Sequence, residues 1–206
     1  RPSPALFPHR LPLVAFLRTY RKKGCAMLER ETALALLREH CPEENAIRHS
    51  LASEAVLRAL ARRLNQAEED WGLAGLLHDL DYAMTRHDPQ QHGSKTAELL
   101  NDALRPELLA AIVAHNGEYT GVEPSTMLDF ALRAGETATG LIAAAALVRP
   151  TGIEGMQASS LRKKMKDKAF AASVSRERIR ECEKIGLPLD QFLTLAIEAM
   201  TPLYTK

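Results

Sequence analysis

The stretch GLAGLLHDLDYAMT, residues 72–85, sets an imidazole and a carboxylate, His78 and Asp79, side by side at the end of an apolar run that begins at Trp71. Burying both groups without partners is costly, and a divalent cation is one of the few partners that satisfies both. A cation so held lowers the pKa of its water from about 15.7 to about 7 and polarises a phosphoryl oxygen. The chain's other His-Asp doublet, His87-Asp88, lies in the polar segment TRHDPQQ and is the natural contrast.

Further residues of the same chemical type are spread along the chain. Of seven histidines, none follows residue 115; His9, His40 and His87 have polar or proline-rich neighbours. His49, in AIRHSLASEAVLRALARRL, shares a helical face with Val56 and Leu60, whereas Glu54, Arg58 and Arg62 project the other way. It therefore faces inward, as a hydrogen-bonded core histidine or as a ligand. Glu136 shares a face with Leu132, Gly140, Ala143 and Leu147. A salt bridge to Arg133 one turn back would account for it, and Asp129, two turns earlier on the same face, is an alternative acidic ligand. His115 ends a helical segment, where a protonated imidazole suits the dipole. His92 begins one, where it does not, so a ligand or substrate contact fits His92 better.

The elements that must position these residues all read as helices. Apolar residues recur every three to four positions over 28–40, 44–65, 67–79, 91–103, 106–115, 125–149, 158–173, 175–185 and 189–203, with no alternating pattern anywhere. Stops follow at Asn116-Gly117, at Pro150 and Gly152, and at Gly186 with Pro188. The reading is a single all-α domain: an N-terminal extension over 1–26, a compact core over 27–154, and C-terminal helices over 155–206 packed on that core. The extension is proline-rich, and its basic cluster follows its short apolar run, the reverse of a secretory signal.

At 206 residues, with 46% apolar and 26% charged side chains, the chain can bury one ordinary core. Lys and Arg number 27 against 26 Asp and Glu, so nothing suggests a nucleic acid or membrane held by bulk charge. The basic run Arg162–Lys168, with Leu161, Met165 and Phe170 as its apolar stripe, reads as the solvated side of an amphipathic helix. No apolar run approaches the roughly 20 residues of a membrane span. Cys25, Cys41 and Cys182 form neither a disulfide framework nor a metal knuckle, which fits a reducing cytoplasm.

The order His49, His78-Asp79 and a later acid on a long helix, in an all-helical chain, resembles the HD-domain superfamily of metal-dependent phosphohydrolases, and within it the small bacterial members of the HDIG type. The likeness continues through HGSKTAELL (92–100), IVAHNGEYTG (112–121), ALRAGETATGLIAAAALVRP (131–150) and KDKAFAASVSRERI (166–179). It implies a helical bundle of the HD-domain type, with His49, His78, Asp79 and Glu136 as ligands of one metal and His92 and His115 as ligands of a second. Two positions depart from the pattern: Glu136 stands where the final acid is usually aspartate, and Leu80-Asp81-Tyr82 follows the doublet where many relatives have Ile-Gly-Lys.

The expected cofactor is one or two divalent transition-metal ions per chain, drawn from Mn, Fe, Co, Ni and Zn. Asp79 and Asp81 are the expected catalytic carboxylates, Asp81 by orienting water or a ligand. Lys95, with the backbone N–H groups of the helix that His92-Gly93-Ser94 opens, is the expected phosphate contact, joined by Arg86 and Arg133. The implied activity is hydrolysis of a small phosphomonoester or nucleotide through metal-activated water. An iron-dependent oxygenase with a binuclear site and a non-catalytic metal- or ligand-binding module are the alternatives.

Overall fold

The computed structural model describes residues 28–204, so the expected extension over 1–26 lies outside the described residues. Helix α1 spans Arg30–His40, α2 Glu44–Arg63 and α3 Glu68–Leu77; the one-turn α4, Tyr82–Thr85, follows the doublet. Then come α5 (Ser94–Leu100), α6 (Pro106–Ala114), the one-turn α7 (Gly117–Thr120) and the long α8 (Met127–Leu147). The C-terminal part holds α9 (Ala158–Lys166), α10 (Arg176–Arg180), a 3-10 turn over Glu181–Ile185 and α11 (Leu189–Tyr204). Among the described residues there is no strand, and no helix is long and apolar enough to cross a membrane.

Helix α3 is the axis of the bundle. Its first turn carries Glu68, Glu69 and Asp70, which complement the positive end of the helix dipole, and every residue from Asp70 to Leu77 is buried. A helix apolar all round has no solvent face and must be enclosed, here by α1, α2, α6 and α8. Burial of Leu73, Leu76 and Leu77 stabilises the domain by about 1.5–3 kcal/mol each. The closest packing is against α2, at Gly75: a Cβ there would lie 2.8 Å from the carbonyl oxygen of Ser53. Only a residue without a side chain lets α2 and α3 approach to that separation.

Three arginines tie the helices around this axis together. Glu54, expected on the outer face of α2, is 3% exposed, because Arg30 of α1 and Arg58 of α2 both donate to its carboxylate, at 2.5 and 2.9 Å. Asp70, also buried, pairs with Arg105 at the start of α6. Helix α8 opens with a capping box: Thr126 Oγ1 accepts from the backbone N–H of Asp129, whose carboxylate accepts from the N–H of Thr126. That commitment ties Asp129 Oδ2 to the start of α8, and Asp129 is not among the residues whose ligand atoms converge.

The C-terminal helices share the buried cluster of the first part, with Leu161, Ile179, Cys182, Phe192, Leu193 and Met200 enclosed against α2 and α8. Helix α9 stops at Lys166, short of the expected 173. The guanidinium of Arg176 donates to the carbonyls of Asp167, Phe170, Ala171 and Val174, and Ala171 has φ +46°, so this backbone wraps around a side chain. The expected helix over 91–103 begins only at Ser94, after Gly93 at φ +84°. Helix α6 ends at Ala114, ahead of the expected stop at Asn116-Gly117; that dipeptide also opens the short α7, and the chain turns at Gly121, φ +74°. Of the basic run, Arg162, Lys163 and Lys166 are exposed while Leu161 and Met165 are buried.

The α2–α3 contact generates a prediction. Gly75→Ala forces the helices apart and lowers stability by about 1–3 kcal/mol, measured by chemical denaturation. Because the same contact sets His49 beside His78, metal affinity falls with it; an unchanged denaturation midpoint would show that the contact does not set the packing.

Candidate metal centre

Four helices deliver the polar cluster. His49 comes from the first turns of α2, and His78 and Asp79 directly follow α3. His92 precedes α5, and His115 follows α6. The Nε2 atoms of His49 and His78 are 3.2 Å apart, as are those of His92 and His115. Asp79 lies between the pairs: its carboxylate oxygens are 3.7 Å from His49 Nε2, 3.4 Å from His78 Nε2, 3.2 Å from His92 Nε2 and 3.6 Å from His115 Nε2. Two triads result, His49-His78-Asp79 and Asp79-His92-His115, each with its potential ligand atoms within 4.8 Å of one another.

The outward nitrogens explain why the inward ones converge. His78 Nδ1 donates to the carbonyl of Gly75 at 2.8 Å, and His115 Nδ1 to that of Ile112. Thr139 gives its hydroxyl proton to the carbonyl of Glu136 at 2.7 Å, so its oxygen accepts from His49 Nδ1 at 2.9 Å. His92 Nδ1 donates to Asp81 Oδ1 at 2.8 Å. Each ring thus spends its Nδ1 proton on a fixed oxygen and turns Nε2 toward the others. Where the imidazoles are neutral, as burial favours at His49 and His78, lone pairs face one another across 3.2 Å, a donor set that repels itself and suits a divalent transition metal.

Electrostatics follow from this crowding. Burial pushes the His49 and His78 imidazoles down, toward the neutral form that a metal requires. Burial opposes ionisation of Asp79, yet His78, His115, His92 and His49 together hold its carboxyl well below the usual range. Burial raises Glu136. His92 is the exception among the imidazoles: against the cost of burial, its hydrogen bonds to Asp79 and Asp81 push it up to about 10.

Glu136 sits beside the first triad, Oε2 lying 3.9 Å from His49 Nε2 while Oε1 accepts from Thr137 Oγ1 at 2.5 Å. Arg133, its expected salt-bridge partner, turns elsewhere. Its guanidinium, 6% exposed, donates to the carbonyls of Ala114 and His115 and to the carboxylates of Glu118 and Glu181. It caps the end of α6 and so fixes His115, and it is no substrate contact.

Three further expected residues have partners of their own. Asp81, expected as a catalytic carboxylate, is fully buried: Oδ1 holds His92, and Oδ2 accepts from the N–H groups of Gly93 and Thr96 at 2.8 and 2.9 Å. It is a positioning residue, and it takes the α5 donors that were expected to hold phosphate. Lys95 Nζ is 2.6 Å from Glu98, on the flank of α5. Arg86 pairs with Glu43 at 3.2 Å and donates to the carbonyl of Ala83.

The sequence reading overlooked Thr139, although its place three residues after Glu136 on one helix was a usable signal. It also overlooked Asn116, whose amide donates to the carbonyls of Pro89 and His92 and fixes the loop before α5. Arg178, which lies in the stretch 166–179 that carries the resemblance but was given no role there, brings Nη1 to 3.8 Å from Glu136 Oε1.

Removing the support of His92 is expected to be felt at the metal. Asp81→Asn lowers metal affinity by roughly 10- to 100-fold in competition with a chelator, and an unchanged affinity would show that Asp81 serves only to cap α5. His92 also sets a pH dependence. Its proton is held below about pH 10 and lost above it, so it competes with metal in the neutral range and competes less as pH rises. Apparent affinity at the His92–His115 side should climb about tenfold per pH unit on the way up, read by titration calorimetry at several pH values.

A family model for the HD domain matches residues 46–149, the span that runs from just before His49 to just past α8. No curated protein and no solved structure matches the chain. The matched span contains all six residues of the cluster and about half of the 206 residues, and the chain belongs to the HD-domain family, within the superfamily of metal-dependent phosphohydrolases.

Proposed function

We propose that this chain is a metal-dependent phosphohydrolase that cleaves the phosphoester of a small phosphomonoester or nucleotide through metal-activated water. The observation that carries this reading is the pair of histidine triads joined through Asp79, an arrangement suited to holding two divalent ions at once. Such ions, when bound, supply a nucleophilic water at neutral pH and a Lewis acid for the phosphoryl oxygen.

The protein's own part is to hold the donors in place. Asp79 serves both triads and, held ionised by its four imidazole neighbours, contributes negative charge between them. Gly75, Thr139, Asp81 and Ile112 fix the ring orientations through their oxygens. Asp79 is only 17% exposed at its side chain, so a substrate meets a site with restricted access to water, where charge interactions are strengthened. The buried, free thiols of Cys41 and Cys182 support a cytoplasmic place of action.

Elemental analysis of the purified chain beside Asp79→Ala, followed by a screen of nucleotides and phosphomonoesters with Mn, Co, Ni, Zn or Fe, tests this. One or two equivalents of metal are expected in the parent and less in the variant, with hydrolysis falling roughly 100-fold or more. Metal retained with no phosphoester cleaved would point to a binding module. Dioxygen uptake by the iron-loaded chain would point to an oxygenase.

A further inference from the structure

A phosphoryl group beside a metal centre carries negative charge that the metal ligands, themselves partly anionic, do not offset. Of the three cations that the sequence brought forward as phosphate contacts, Arg133 is enclosed inside the protein, and Lys95 and Arg86 form exposed ion pairs with Glu98 and Glu43. Among the described residues, the arginine that does approach a carboxylate of the cluster is Arg178, from the C-terminal α10 and outside the span matched by the family model.

Its position is built. Ser175 caps α10 by accepting from the backbone N–H of Arg178 at 3.2 Å, and the wrapped loop around Arg176 leads directly into that cap. Val174 in this loop packs against α8 at Gly140, one turn beyond Glu136, where a Cβ would stand 3.4 Å from the valine methyl. The side chain is then held by Glu118, which accepts from Nε at 3.1 Å and from Nη2 at 2.5 Å. Glu118 is in turn fixed by buried Arg133, and the two arginines hold its carboxyl well below the usual range against the cost of its partial burial.

This leaves Nη1. It lies 3.8 Å from Glu136 Oε1, beyond hydrogen-bond distance, and Oε1 already accepts from Thr137. The side chain is 22% exposed, enough for a ligand to reach it. A planar, permanently charged fork, hydrogen-bonded to Glu118 along its Nε–Nη2 edge and beyond hydrogen-bond distance of Glu136 at Nη1, is suited to phosphoryl oxygens.

Resting on the proposed phosphohydrolase reading, we infer that Arg178 is the substrate-binding cation of this centre, receiving the phosphoryl oxygens on its Glu136 flank. Substrate recognition is thereby divided between the HD-domain span, which carries the metal donors, and the C-terminal segment, which carries the cation.

The test uses the full chain loaded with manganese and inorganic phosphate as the probe. Phosphate affinity is measured by titration calorimetry, metal content by elemental analysis, and kcat and KM with p-nitrophenyl phosphate. Arg178→Gln is expected to keep its metal while binding phosphate roughly 10- to 100-fold more weakly, with the loss appearing mainly in KM. Arg178→Lys, which keeps the charge and loses the fork, should fall between the two and decides the matter if the glutamine variant does not fold. Parent-like phosphate affinity in a folded, metal-loaded variant overturns the inference while leaving the phosphohydrolase intact. Loss of metal in both variants also overturns it, since Arg178 would then be a support for Glu136. A metal-loaded parent that neither binds phosphate nor cleaves a phosphoester would end both readings together.

Discussion

The centre depends on one constraint: four imidazoles must each give an Nδ1 proton to a fixed oxygen so that four Nε2 atoms can converge around Asp79. Two of those oxygens are backbone carbonyls one helical turn back, at Gly75 and Ile112, so His78 and His115 are oriented by the helices they terminate. The other two belong to side chains, Thr139 on α8 and Asp81 before α4, so His49 and His92 are oriented only once distant segments have packed. The centre is therefore half local and half tertiary in origin.

The bundle is arranged to meet that constraint. Gly75 allows α2 to lie close enough to α3 for His49 to reach His78. Gly93, at a φ that L side chains rarely adopt, lets the chain turn so that Asp81 can hold both His92 and the start of α5. The backbone oxygen of Ile112 lies 2.7 Å from where a Cβ on Gly93 would stand, so the glycine also permits the end of α6 to approach. At both places the site is bought with a missing side chain, and apolar burial along α3 offsets the lost packing.

A second network joins the C-terminal segment to this region. Arg133, Glu118, Glu181 and Arg178 alternate in sign, so the buried guanidinium of Arg133 is neutralised on two sides. A buried charge with one partner removed is strongly destabilising, whereas the complete network holds α7, α8 and α10 in one relation. The α7 turn, four residues long, has too few internal hydrogen bonds to hold itself, and Glu118 gives it an anchor through these arginines.

Periodicity alone determined that this chain is all helical, because apolar residues every three to four positions leave no other way to bury one face. Adjacency also made the His78-Asp79 doublet legible, since an imidazole and a carboxylate closing an enclosed apolar helix demand a partner. The order of the remaining histidines and of Glu136 was enough for the family. What tertiary structure alone decided is which charges come to lie beside the site. Arg133 is one turn from Glu136 in sequence yet pairs with Glu118 and Glu181, and Asp81 turns away to cap α5. Arg178, 42 positions beyond Glu136, arrives beside it. A charged side chain is several bonds long and takes the partner that packing brings nearest, and local spacing carries no information about an approach made through space.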